Sequence, residues 1–300
     1  MHTTSAPTPL TFGKLLSRAI ALYPTHKGIF LRTAAIFYLP VAALAIIFVK
    51  DAVTSTLFLT LIFPVEAIMS LSLIALCVEL LHGRPLAVRT AVQHGLRRLL
   101  ANIGMILAAS AVYIGAVILL AIPIWVGLIR TDIALGEILD AFSGPPGPAD
   151  IEAIMKVLDD VLLGGIGLCL SGVLALIVLS YLSARWMAAE VALMVEETGP
   201  LDSLARSWNL SRGYILRTVG YSLLLSIPLG LVAGLFGVTM EFVVLPVFPA
   251  IDESSKAGFS GAASILMTIF TTPFYVTAVV LYYFDLRVRK EKYDFGGHVS

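Results

Sequence analysis

Six runs of about twenty apolar residues recur along the chain, and a helix of that length crosses the roughly 30 Å hydrocarbon core of a bilayer. They lie near Ile29 to Val49, Leu57 to Leu81, Ile103 to Ile129, Val161 to Val195, Thr218 to Val244 and Ala262 to Phe284. No fold that faces water on all sides accommodates them, because 58% of the 300 residues are hydrophobic and only 13% are charged. A soluble domain carries about 25% charged residues. Outer-membrane strands would alternate polar and apolar residues, and these runs do not. The sequence therefore predicts an all-α integral membrane protein with six spans. The fourth run implies a helix of about 50 Å at 1.5 Å per residue, longer than the bilayer needs.

The cations set the orientation. Sixteen of the twenty Lys and Arg residues fall at one set of span ends, and only Lys50, Arg130, Lys156 and Lys256 fall at the other. By the positive-inside bias, both termini are expected on the cytoplasmic side of a bacterial inner membrane. "YYFDLRVRKEKYD" (282 to 294) then reads as the sixth span leaving lipid, with Tyr282, Tyr283 and Phe284 at the interface. Asp285 with Arg289, and Arg287 with Glu291, are four apart and share a helix face. "MHTTSAPTPL" has no basic segment followed by an apolar core, so the first span is expected to direct insertion.

Three basic amphipathic segments precede spans one, three and five: "TFGKLLSRAIALYP", "RPLAVRTAVQHGLRRLL" and "GPLDSLARSWNLSRG". Each has helical periodicity and is too short and charged to span, so each is expected in the cytoplasmic interface with basic residues on anionic headgroups. "LSRAIAL" (16 to 22) matches "LARSWNL" (204 to 210), and "KGIFLRT" (27 to 33) matches "RGYILRT" (212 to 218). The reading is one membrane domain over 1–300, built as a pseudo-threefold repeat of elbow helix plus helical hairpin at about 10–82, 83–197 and 198–286, with 287–300 as a cytoplasmic tail. The outer connection at 130 to 160 is acidic and is expected to carry one or two short surface helices. "SGPPGPAD" within it reads as a turn, with Asp150 as the N-cap of the next helix.

"RWMAAEVALMVEETGPLDSLARSWNLSRGYILRTVGYSLL" (185 to 224) resembles the membrane domain found with some glycerophosphoryl diester phosphodiesterases, and "YYFDLRVRKEKYD" resembles the C-terminal signature of stand-alone bacterial relatives. The resemblance implies a multi-pass inner-membrane protein. It does not carry phosphodiester hydrolysis, since that catalytic barrel needs about 250 residues outside the spans and none are left for it.

Chemistry is sparse. No HExxH, GxSxG or GxxxxGK[ST] occurs, so no catalytic residue, metal ligand or cofactor is assigned. A net charge of zero gives no field for nucleic acid. Cys77 and Cys169 lie inside apolar runs and read as small packed or lipid-facing side chains. Glu66, about ten residues into span two, is the one acid at depth. It is either a polar substrate or ion contact, or a hydrogen-bonded carboxyl holding helices together. Arg185, Glu190 and Glu197 read as anchoring or inter-helix pairs, with Arg185 able to meet Asp285, and Arg287 as a helix-end partner. The sharper alternative is a lipid-phosphate site made by Arg185, Arg206 and Arg217, with Arg212 beside them. Pro40, Pro64, Pro123, Pro228 and Pro273 each fall in a different span and predict kinks. "GLVAG" (230 to 234) is a small-residue face expected to pack within the chain. The leading function is a non-catalytic protein that organises membrane lipid or partner proteins through its basic interfacial helices. The alternative is a transporter or lipid flippase with a kinked-helix pathway.

Overall fold

The computed structural model describes residues 9–84, 86–141, 148–244, 247 and 252–293. These residues form α1 (Phe12–Thr25), α2 (Lys27–Phe48), α3 (Ala52–Leu81), α4 (Val88–Ala141), α5 (Pro148–Trp186), α6 (Ala189–Val195), α7 (Pro200–Ser211), α8 (Ile215–Thr239), a π-helical turn at Met240–Val244, and α9 (Glu253–Glu291). No strand occurs among them. Six of the helices are long and apolar enough to cross a membrane, as the six runs predict.

Local chemistry sets the helix ends. Thr11 caps α1 by accepting from the Lys14 backbone N–H. Asp51 caps α3 in a reciprocal box, accepting from the Thr54 N–H at 2.8 Å while the Thr54 hydroxyl takes the Asp51 N–H at 2.9 Å. The backbone and side-chain bonds from Thr54 hold the Asp51 carboxyl below the usual carboxylate range. Asp252 caps α9, which ends on Lys292 in the left-handed conformation at φ 54.

Several expectations need correction. The second basic segment is not a separate elbow, because α4 runs unbroken through it into the third span. The other two segments do break, at places with a reason. Pro24 and Thr25 close α1 before His26, and Gly213 takes φ +90 between α7 and α8. Between Arg89 and Ile103 there is no proline and only the isolated Gly95, and one helical glycine costs about 1 kcal/mol, too little to stop a helix. The 130 to 160 stretch is helical where described, as the expected helices require, but as the ends of the long helices α4 and α5 rather than as short separate ones. Asp150 lies inside α5, whose first residue is Pro148, and so is not its N-cap. Residues 142–147 of the expected turn, and 294–300 of the expected tail, lie outside the described residues. The fourth run is not one helix, because α5 ends at Trp186 and α6 follows from Ala189.

The contacts divide the chain into two units. The first holds residues 1–107 and 184–300. Its centre is α9 laid along α2, with α3 and α1 against it. Gly258 permits the close approach, since a Cβ there would stand 2.8 Å from the Ile46 carbonyl oxygen and 3.0 Å from that of Val49. The main core joins Phe30, Leu73, Leu76, Val191, Tyr221 and Tyr282. A smaller cluster packs Val41, Ala45, Phe58 and Ile62 with Ala262. Leu15 and Ala19 of α1 and Leu210 of α7 are fully buried in protein, so the inner faces of these helices rest on the core.

The closing aromatics are a further correction. Tyr282, Tyr283 and Phe284 are no more than 1% exposed, so they are core residues and do not face headgroups. Tyr282 stacks on Tyr221 with centroids 4.4 Å apart, and its hydroxyl donates to Thr218 Oγ1 at 2.9 Å. The Tyr221 hydroxyl donates to the Ala278 carbonyl at 3.0 Å. Helix α8 is little enclosed: Leu216, Leu231 and Leu235 are each more than 60% exposed, whereas Leu71, Leu73 and Leu76 of α3 are fully buried. Gly230 and Gly234 meet nothing within 4 Å, so "GLVAG" does not pack against the described residues as expected.

The second unit holds residues 108–183, from α4 and α5. The Tyr113 and Ser183 hydroxyls are 2.9 Å apart in it. Leu119 and Leu176 are among its exposed apolar side chains, and Cys169 is exposed while Cys77 of the first unit is buried.

Candidate functional site: the charged end of the first unit

Two ion networks are built on the last turns of α9. In the first, Asp285 is buried and satisfied on every side. Its Oδ1 accepts the Leu10 backbone N–H at 2.7 Å. Its Oδ2 accepts from Arg217 Nη2 at 3.0 Å and from Arg289 Nε at 2.8 Å. Both arginines then donate to the Leu10 carbonyl, each at 2.6 Å. Residue 10 is thus clamped through both backbone groups, and Arg217 lies over the Phe12 ring at 4.5 Å. Charged hydrogen bonds of this kind are the strong ones, and a carboxylate with both oxygens used recovers its lost hydration.

The second network centres on Glu196, just beyond α6. Arg206 Nε lies 2.7 Å from Glu196 Oε2, and the Tyr283 hydroxyl donates to Oε1 at 2.6 Å. Arg206 also pairs with Glu291, and Arg287 pairs with Glu291 at 3.1 Å. Partial burial opposes the charge on Arg206, but the bonds to Glu291 and Glu196 outweigh it and push its pKa up. Lys290 reaches the Asn209 carbonyl, tying α9 to α7.

These networks place the expected residues. The pairs Asp285–Arg289 and Arg287–Glu291 form as the spacing predicts. Arg185 does not meet Asp285. It lies 8% exposed against α7, donating to the Trp208 carbonyl and the Ser211 hydroxyl, each at 3.3 Å, with the Trp208 ring 4.6 Å away. Arg185, Arg206 and Arg217 therefore do not converge into one phosphate site, because each has its own protein partners. Glu197 pairs with Arg98 at 3.1 Å. The Arg212 side chain is exposed and makes no hydrogen bond or ion pair with the described residues.

The two acids within spans behave differently. Glu190 is held by the Ser70 hydroxyl at 2.9 Å and the Asn102 amide at 3.1 Å, joining α6 to α3 and α4. Sequence reasoning placed Glu190 but missed both partners, although Asn102 is the sole amide in "LLANIGMIL". Glu66 is exposed midway along α3, and no hydrogen bond or ion pair joins it to the described residues.

Among the described residues no group of three His, Cys, Asp or Glu side chains is arranged to hold a metal ion. A cavity of about 630 Å³ opens beside the second network, between the ends of α3, α6 and α9 and the start of α4.

A helical chain with six bilayer-length apolar helices and an internally paired charged end is a multi-pass membrane protein. It belongs to the family described as a domain of unknown function (DUF7847), which residues 10–286 match. That stretch takes in both Leu10 and Asp285 of the clamp. No curated protein and no solved structure matches the chain.

Proposed function

We propose that this is a non-catalytic organiser of anionic lipid at the cytoplasmic face of a bacterial inner membrane, with both termini on that side. The observation that carries the reading is how the cations divide. Arg185, Arg206, Arg217, Arg287 and Arg289 are used internally and stiffen the charged end. The side chains of Lys14, Lys27, Arg32, Arg89 and Arg212 are exposed and make no hydrogen bond or ion pair with the described residues. They are left for headgroups, at about 1 kcal/mol each near an anionic surface. Helices α1 and α7 are the first and third elbows of the three-unit repeat, and the second elbow is the first turns of α4. The resemblance to the phosphodiesterase-associated membrane domain belongs to this reading as a likeness of layout. The transporter alternative has Glu66 as its sole polar contact at depth. That carboxyl meets no described partner that would complete a path, so organisation is the reading taken.

The test is lipid retention. In nanodiscs of mixed phosphatidylglycerol and phosphatidylcholine, the purified protein is expected to keep phosphatidylglycerol selectively, as counted by native mass spectrometry. Replacing Lys14, Lys27, Arg32, Arg89 and Arg212 together by Gln should lower that enrichment at least tenfold at low salt, given about 1 kcal/mol for each lost cation. Equal enrichment in the two proteins removes the surface role.

A further inference from the structure

We infer that the cavity at the charged end is a specific site for a phosphate monoester, a ligand with two ionisable oxygens on one phosphorus. Its lining has an apolar part that includes Ala75, Val78, Met194 and Val195. Arg97, Arg287 and His94 line it together with the acids Glu79, Glu196 and Glu197. Its volume of about 630 Å³ suits a small ligand or a headgroup with the first part of its chains, since such sites run from about 300 to 1,000 Å³.

The pairing inside the cavity decides the ligand's sign. Each acid already has a cation. Glu79 holds Arg84 at 2.9 Å, Glu197 holds Arg98 at 3.1 Å, and Glu196 holds Arg206 at 2.7 Å from outside the lining. No carboxylate is left over to receive a cation. On the other side, Arg97 and His94 face the cavity with no hydrogen bond or ion pair to the described residues. They stand three apart on the first turns of α4, so they share a helix face and present a guanidinium fork beside an imidazole. Arg287, fixed over the Tyr293 ring at 4.0 Å, also lines the cavity. A planar fork and an imidazole N–H match the oxygens of phosphate. A monoester, with more charge on one phosphorus than a diester, gains more from a site whose acids are already neutralised.

This site differs from the proposed lipid-facing surface, which uses none of these side chains, and the two stand or fall separately. Two sources share the chemistry: a soluble phosphate and a lipid with a terminal phosphate. The full-length protein in uncharged detergent is therefore offered inorganic phosphate, at matched ionic strength against chloride, and separately phosphatidic acid against phosphatidylglycerol. Thermal stability and native mass spectrometry are the readouts. The expected result is a raised Tm or a retained adduct with at least one probe, reduced at least tenfold in affinity by Arg97→Gln with His94→Gln and reduced less by Arg97→Lys, which keeps the charge and loses the fork. Stabilisation by inorganic phosphate assigns a soluble ligand, and retention of phosphatidic acid alone assigns a headgroup. Arg97 and His94 are exposed and unbonded, so the double variant is expected to fold with the wild-type Tm in chloride. The surface variant, with Lys14, Lys27, Arg32, Arg89 and Arg212 changed, should keep the adduct that the Arg97 and His94 double variant loses. Binding of neither probe, or binding that ignores the double variant, overturns the inference.

Discussion

Asp285→Ala is expected to lower the unfolding free energy by about 3–5 kcal/mol, among the largest single-residue losses in the molecule. The carboxylate is almost fully enclosed, and it is the one acid serving Arg217, Arg289 and the Leu10 N–H together. Its removal leaves two guanidiniums facing each other across the Leu10 carbonyl with no counter-charge. Each is only about a fifth exposed, so water replaces the lost partner poorly. The cost is therefore chiefly that of stranded cations, and a second change should relieve it. In a double-mutant cycle with Arg217→Leu, the combined loss should fall short of the sum by more than about 1 kcal/mol. Equilibrium unfolding in mixed micelles measures both quantities. A loss under about 1 kcal/mol would show that the clamp is incidental to stability.

Gly258→Val should be nearly as damaging, for a steric reason. A Cβ at 258 meets the Ile46 and Val49 carbonyl oxygens, which belong to α2 backbone and its end and have no rotamer to change. The helices must separate along the most extensive interface in the unit, and overpacking of this kind costs about 1–3 kcal/mol. Any gain in helix propensity is about 1 kcal/mol at most and does not reverse the sign. Gly230→Ala is the control, because nothing lies within 4 Å of that position and only the propensity gain applies. The same unfolding measurement should show Gly230→Ala level with or above the wild type. Equal stability of Gly258→Val and wild type would mean that α2 and α9 do not approach so closely.

What the sequence revealed was what depends on near neighbours. Apolar runs located the six long helices, and a spacing of four located Asp285–Arg289 and Arg287–Glu291. What it concealed depends on pairings across the chain. Leu10 and Asp285 are 275 residues apart, and Ser70 and Glu190 are 120 apart, so no local pattern links them. Tyr282 and Tyr283 show a second kind of blindness. Aromatics beside a cluster of charges read as an interface belt, yet α9 continues through the charges and turns these rings into the core. In a chain this apolar, periodicity does not separate a face that meets lipid from one that meets protein; Glu190 joins helices as expected, but its partners Ser70 and Asn102 were not legible. The second basic segment, which runs on into α4, shows that amphipathic pattern marks a helix without marking its end. Gly213 at positive φ supplies that end after α7, and nothing equivalent stands between Arg89 and Ile103.

The central claim is that the chain crosses a bilayer six times and keeps its cation-rich ends on one side. Single cysteines at Val53 and Val247, both well exposed, and at Lys27, Arg212 and Lys292 test it most directly. The background protein has Cys77 and Cys169 replaced by Ala, and the reagent is a membrane-impermeant maleimide applied to intact bacterial cells. The account predicts labelling at 53 and 247 from outside, with 27, 212 and 292 reacting only after the membrane is opened. Labelling of 27, 212 or 292 on intact cells, or silence at 53 and 247 until lysis, would contradict it.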